Sequence, residues 1–385
     1  MSTNGFSDLG LPPELISALA KQRITEPTPI QVAALTSLLA GEDAYLNAPT
    51  GTGKTLAYLL PAFTRIKPEE SATQLIIVAP THELAIQIQR QCGELAVNAG
   101  LAIKSVLLVG GTSMDRQLEK LKKRPHIAIG TLGRVADLLD MGKLKARAAR
   151  TIVIDEADRL WVPENLEALK ALITAAPFGR QVIFASASLP EGGVDAIRPG
   201  LALIQAGDEP VNQNIEHFYL VCEERDKPEL LRKLLHAIKP ERAMIFVKQG
   251  GTVEDVAGRL EHHHIPSVAL HAAGDKFSRK QAMDDFRSGR VPVMVASDVG
   301  ARGLDILGVS HVINMDAPSQ SMAYLHRVGR SARGMAHGQA VTLVTEQELR
   351  LIRRYEGELG ILVQAMRLRE GRMVPADGEP HRDRR

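Results

Sequence analysis

Lys54 and Thr55 end the run Ala48-Pro49-Thr50-Gly51-Thr52-Gly53-Lys54-Thr55, a spacing suited to holding a phosphate. The run joins a short apolar stretch, Ala44-Tyr45-Leu46, to Leu56-Ala57-Tyr58-Leu59-Leu60, which reads as the start of a helix. A small-residue loop between strand and helix turns successive backbone N–H groups toward an anion, and the helix dipole adds to the attraction. Lys54 then reaches the outer phosphates of a nucleotide and the Thr55 hydroxyl binds Mg²⁺. Ala48 stands where this pattern has its first glycine. A chance glycine-rich turn would not require strand, loop and helix in this order.

Other residues could supply the reaction. Asp155-Glu156-Ala157-Asp158 directly follows the apolar run Thr151-Ile152-Val153-Ile154. Carboxylates at the C-terminal end of a strand lie where ligands bind in open α/β sheets. Asp155 is placed to hold Mg²⁺ through water, and Glu156 to orient or deprotonate an attacking water, a role worth about 10²–10⁴-fold. An acidic helix N-cap is the competing explanation. Gln31 lies in the first turn of a helix that starts near Pro29, with Thr28 placed to cap it, and its amide can read an adenine edge. Arg327, Arg330 and Arg333 recur at intervals of three and can point to one side. Arginines supplied to a transferring phosphoryl raise rates roughly 10³–10⁵-fold. His262-His263-His264 cannot all face one ion and reads as a solvated helix end.

The elements that must position these groups are legible as alternation. Strand-like runs at 75–78, 105–109, 127–129, 151–154 and 182–184 are separated by helical stretches, which predicts βαβ units and a parallel sheet. Residues 199–214 lose the apolar period and carry turn signals. A second alternation follows at 218–221, 244–247, 268–270, 293–295, 312–313 and 341–344, without a phosphate loop of its own. The expected organisation is two α/β domains in tandem, residues 1–206 and 215–366, with a linker at 207–214. Residues 367–385, rich in Arg, Gly, Pro and acids, read as a disordered basic tail.

Composition sets limits. With 385 residues, 44% of them hydrophobic, the chain can bury two cores, and its net charge of +2 means that any nucleic-acid contact is local. Aromatics at 4% argue against base-stacking platforms. Cys92 and Cys222 form no disulfide framework and read as buried packing residues. No leader or membrane-spanning run is evident, so the expectation is a cytoplasmic monomer.

Together these motifs resemble the DEAD-box RNA helicase family over roughly Phe6 to Gly338, in the family's order. The resemblance implies two RecA-like parallel-sheet domains, with ATP and Mg²⁺ in the cleft and RNA across both. Pro27-Thr28-Pro29-Ile30-Gln31 is similar to the adenine-reading Q motif, with Phe6 as the upstream aromatic. Ser186-Ala187-Ser188 resembles the Ser-Ala-Thr motif that bonds Asp158. By the same resemblance Asp305 contacts the ribose, Arg330 and Arg333 act as arginine fingers, and His326 and Arg327 link the domains. Pro80-Thr81-His82, Gly110-Gly111 and Thr131-Leu132-Gly133-Arg134 look like RNA-gripping motifs of the first domain, and Arg279, Ser297 and Asp298 like those of the second. Contacts of this kind hold the sugar–phosphate backbone without reading sequence, and the 2′-OH selects RNA.

Several residues depart from the family pattern. His82 replaces Arg, Leu132 replaces Pro, His271-Ala272-Ala273 replaces His-Gly-Asp, Lys276 replaces Gln, and Arg23-Ile24 replaces a Gly-aromatic pair. Ser188, Ser297 and Ser331 replace Thr but keep the hydroxyl. Lys54, Thr55, Asp155, Glu156, Arg330 and Arg333 are intact, so the departures cluster on the RNA side. The implied activity is RNA-stimulated ATP hydrolysis that unwinds short duplexes or remodels RNA–protein complexes, with protein partners for targeting. An ATP-gated RNA clamp is the rival reading. A metabolic P-loop kinase is a further one, and it leaves 324–333 unexplained.

Overall fold

Buried parallel strands need side chains that are apolar on both faces, and the runs singled out above supply them. The computed structural model describes residues 5–49, 51–189, 193–206, 214–248, 252–270, 276–301, 308–331 and 337–376. Thr50, Asp305, Arg333, His271, Ala272 and Ala273 lie outside these residues, as do linker residues 207–213 and tail residues 377–385. The chain divides into two units, Met1–Asp208 and Glu209–Arg385.

The first unit holds β1 (Ala44–Asn47), β2 (Leu75–Ala79), β3 (Ser105–Leu108), β4 (Ile127–Thr131), β5 (Thr151–Asp155), β6 (Gln181–Ser186) and β7 (Ala202–Gln205). They form one seven-stranded sheet in the order β3-β4-β2-β5-β6-β1-β7, every pairing parallel. Its helices are α1 (Pro13–Lys21), α2 (Pro29–Ala40), α3 (Lys54–Arg65), α4 (His82–Asn98), α5 (Met114–Lys122), α6 (Leu132–Asp140), α7 (Ala157–Leu160) and α8 (Leu166–Ala175). Every residue of β2, β5 and β6 is buried, with one apolar cluster on each face of the sheet. The break at Pro27-Thr28-Pro29 falls where expected: Pro29 opens α2 and Gly41, at φ +89°, closes it.

The second unit holds β8 (Ile215–Val221), β9 (Ala243–Val247), β10 (Ser267–Leu270), β11 (Val293–Ser297), β12 (His311–Asn314), β13 (Gly338–Val344), β14 (Val363–Arg369) and β15 (Arg372–Pro375). The sheet order is β10-β11-β9-β12-β13-β8-β14-β15, parallel except for the final pair. Its helices are α9 (Lys227–Ile238), α10 (Thr252–His262), α11 (Lys276–Arg287), α12 (Asp298–Ala301), α13 (Ser321–Val328) and α14 (Leu349–Leu359). Taken strand by strand, β8 to β13 repeat the order of β1 to β6, so the duplicated layout suggested by the sequence is a duplicated topology.

Three expectations need correction. Residues 367–375 are not disordered: β14 and β15 form an antiparallel ribbon whose Met366, Leu368 and Met373 pack against the core. Alternating Met/Leu with Arg gives a half-buried strand a low apolar content, so composition alone reads it as tail. The stretch 199–214 contains β7, a short, mostly exposed edge strand whose brief apolar run, Ala202-Leu203-Ile204, lies among the turn signals. Cys92 is buried as expected, but Cys222, just past the end of β8, is only half-buried. The three histidines are exposed at the end of α10, as expected.

Candidate functional site

In the first sheet the C-terminal strand ends divide the candidate residues by position. Loops after β1, β5 and β6, three neighbouring strands, carry the nucleotide-type residues; loops after β3, β4 and β2 carry the RNA-type residues. The phosphate loop leaves β1 and enters α3 at Lys54, with Gly51 and Gly53 at φ +86° and +93°. Lys54 Nζ donates to the carbonyls of Pro49, at 2.8 Å, and Ala48, within its own loop. Burial lowers Lys54 to about 8, while the carboxylates of Asp155, Glu156 and Asp158 pull the other way. Gln31 is 1% exposed and bridges two motifs: its Oε1 accepts from the Thr28 N–H at 3.0 Å and its Nε2 donates to the Gly53 carbonyl at 3.1 Å. Phe6 is 3% exposed, packed among Leu9, Leu11 and the first core rather than open as a platform.

The acidic residues occupy the end of β5. Asp155 is buried; its Oδ2 accepts from the Tyr58 hydroxyl at 2.8 Å and its Oδ1 from the Glu156 N–H at 2.9 Å. Burial pushes Asp155 up to about 6, opposed by the Tyr58 hydrogen bond. Glu156 sits at φ +49°, a left-handed conformation that a non-glycine residue adopts at a cost, and its carboxylate lies 3.3 Å from Arg159. The Ser188 hydroxyl donates to Asp158, so the loops after β5 and β6 are joined. Ser186 accepts the Ala48 N–H through its carbonyl at 3.1 Å, which ties β6 to the phosphate loop.

On the other half of the edge, Thr81 caps α4 by accepting from the Leu84 N–H at 3.2 Å, with Pro80 before it. The His82 ring lies against Gly110: a Cβ there would meet its Nε2 at 3.5 Å. Gly111 is exposed at φ +63°. Thr131 ends β4, Leu132 is buried, and Arg134 leans on Met114 and Asp137.

In the second unit Ser297 ends β11 and its Oγ accepts from the Gly300 N–H at 3.1 Å. Arg279 donates to the Gly300 carbonyl at 2.9 Å. Arg327 is buried and forks onto Asp298 at 2.6 and 2.8 Å; it also donates to Asn314 and to the Asp316 carbonyl, over the Phe246 ring. All these partners belong to its own unit, and they also supply the acidic neighbour that helical spacing alone did not show. Arg330 is buried, and His326 half-buried, beside it. The side chain of Lys276 lies outside the described residues.

Sequence reasoning missed Tyr58 and Lys227. Tyr58 starts the second turn of α3, three residues after Thr55 and on the same side of the helix. Lys227 opens α9 after β8 as Lys54 opens α3 after β1, the topological match. It is 1% exposed, and its Nζ lies 2.7 Å from Glu224, 2.9 Å from Glu348 and 3.9 Å from Asp316. Here carboxylates of the chain surround the ammonium that, in the first unit, faces a phosphate loop. Among the described residues no group of metal-ligating side chains is complete, and no helix is long and apolar enough to cross a membrane.

Residues 28–197 match the DEAD/DEAH box helicase family and residues 226–335 the helicase conserved C-terminal domain. The chain is 37% identical over 341 residues, 87% of its length and 89% of the relative's, to the probable ATP-dependent RNA helicase YfmL of Bacillus subtilis. It is 35% identical over 367 residues, 94% and 93% of the two lengths, to the DEAD-box ATP-dependent RNA helicase CshC of Bacillus cereus. Among solved structures it is similar to S. cerevisiae Dbp5 bound to RNA and ADP BeF3, with TM-score 0.85 and 27% identity, covering 94% of this chain and 95% of that one. It is also similar to Mss116p bound to ssRNA and AMP-PNP, with TM-score 0.84 and 25% identity, covering 95% and 80%.

Proposed function

The chain belongs to the DEAD-box family of ATP-dependent RNA helicases, and from that premise we propose how its own residues divide the work. The observation that carries the proposal is the convergence of Lys54, Asp155, Glu156 and the Asp158–Ser188 pair on three neighbouring strand ends. Lys54 exchanges its loop carbonyls for the outer phosphates. Gln31, fixed between Thr28 and Gly53, sets the adenine edge relative to the loop. Thr55 and Asp155 hold Mg²⁺; a carboxylate desolvated enough to rise to about 6 fits a site completed by a divalent cation. Bound there, the cation would supply positive charge against the negative charge that develops on the transferring phosphoryl. Glu156, already held at a strained φ, turns from Arg159 to orient the attacking water. Arg330 and Arg333 supply positive charge to the transferring phosphoryl. Asp158 and Ser188 pass the change on to the neighbouring loops.

We assign the ATP-binding domain to residues 1–206, the linker to 207–214 and the second domain to 215–376, the last boundary moved to include β15. RNA backbone contacts are assigned to Pro80, Thr81, His82, Gly110, Gly111, Thr131, Arg134, Arg279 and Ser297. Asp298 is assigned instead to holding Arg327, and Arg327 to stiffening the second unit, because each occupies the other. The product is local unwinding of short duplexes by a cytoplasmic monomer. Steady-state ATPase with and without single-stranded RNA tests this, with single-stranded DNA and Glu156→Gln as controls. RNA-specific stimulation that Glu156→Gln abolishes is the expected result. A low rate indifferent to RNA, with RNA retained beside an ATP analogue, overturns it in favour of a clamp.

A further inference from the structure

Tyr45 carries a hydroxyl into the apolar interior of the first unit, beside the nucleotide-type residues. On β1, Ala44 and Leu46 enter one core cluster, while Tyr45 enters the other with Phe184, Ala157 and Leu160. Parallel register sets Tyr45 beside Phe184 on β6, and their rings stack at 13° with centroids 6.2 Å apart. Phe184 meets Trp161 edge to face at 5.6 Å, and Trp161 directly follows α7. A row of three rings thus joins β1, β6 and the helix after β5. A phenylalanine at position 45 would fill the same space. The hydroxyl makes the difference, because it donates to the Ser188 carbonyl at 2.7 Å. Burial raises the pKa of this hydroxyl, so it keeps its proton.

Ser188 is thereby held at each of its polar groups. Its carbonyl accepts from Tyr45, its N–H donates to Ser186 Oγ at 3.3 Å, and its hydroxyl donates to Asp158. Of these partners, Tyr45 is the one on the strand that runs into the phosphate loop. We propose that Tyr45 is a positioning residue for coupling: its hydroxyl sets Ser188 on Asp158, so that β1 and the loop after β6 move together. The inference rests on the helicase reading above. Fully buried, Tyr45 offers no surface to nucleotide or RNA and acts through Ser188. A displacement of the phosphate loop on nucleotide binding then reaches the Ser188–Asp158 pair through one hydrogen bond from β1.

The test compares the unaltered full chain, Tyr45→Phe, Ser188→Ala and the double variant on a short RNA duplex. The readout is strands separated per ATP hydrolysed. KM for ATP and the emission of Trp161, the one tryptophan of the chain, are measured alongside. Tyr45→Phe keeps the stacked ring and removes one hydrogen bond, which should lower strands per ATP about 5-fold. With Ser188 already replaced by Ala, the same change should cost less than about 2-fold, because the two act as one unit. KM and Trp161 emission should match those of the unaltered protein. Equal losses in both backgrounds, no loss in Tyr45→Phe, or a raised KM with altered emission overturn the proposal. An unaltered protein with neither RNA-stimulated hydrolysis nor strand separation overturns the helicase reading, and the coupling role with it.

Discussion

Gly53→Ala tests whether the phosphate loop and the Gln31 segment form one unit. Gly53 sits at φ +93°, and a Cβ built there would lie 2.6 Å from Gln31 Nε2 and 2.9 Å from Thr28 Oγ1. The left-handed backbone costs an alanine about 1–2 kcal/mol. Moving the Gln31 amide out of the way gives up its bonds to the Thr28 N–H and the Gly53 carbonyl, about 1 kcal/mol each. The sum is about 3 kcal/mol, a fall of roughly 6–12 °C in the melting of a unit this size. Thermal denaturation of the unaltered chain, Gly53→Ala, Gln31→Ala and the double variant gives a complete cycle. If the collision is the cause, the double variant loses less than the two singles together, by about 1–2 kcal/mol. Strict additivity, or a Gly53→Ala protein as stable as the original, would refute the reasoning.

Tyr58→Phe keeps the buried ring but removes the hydroxyl that donates to Asp155, and should cost about 1.5–3 kcal/mol in denaturant unfolding; an unchanged midpoint would mean that the bond contributes nothing. His217 is buried against the Tyr324 hydroxyl at 2.8 Å, and burial pushes it down to about 4. The folded value lies below that of the unfolded chain, so unfolded molecules take up the proton first as pH falls. The stability this ring preserves is whole above about pH 6.5 and is lost toward pH 4, about 3 kcal/mol in all. His217→Gln should flatten that part of the pH–stability curve, and an identical curve for both proteins would contradict it.

The sequence by itself determined the chemistry and the layered architecture. Lys54, Thr55, Asp155 and Glu156 are identified by short-range spacing beside apolar runs, and a fully buried parallel strand such as β2 or β5 has an unambiguous pattern because both faces must be apolar. Only the tertiary structure decided which loops meet. The strand order is set by pairing between segments far apart in the chain, and it alone gathers the β1, β5 and β6 ends into one cluster and the β2, β3 and β4 ends into another. The exchange of Arg327 with Asp298, and the approach of Glu348 and Asp316 to Lys227, are long-range contacts that leave no local signature. The ribbon at β14 and β15 escaped notice for the opposite reason. Its period-2 pattern is plain residue by residue, but only one face is buried, so its average composition matches that of a solvated tail.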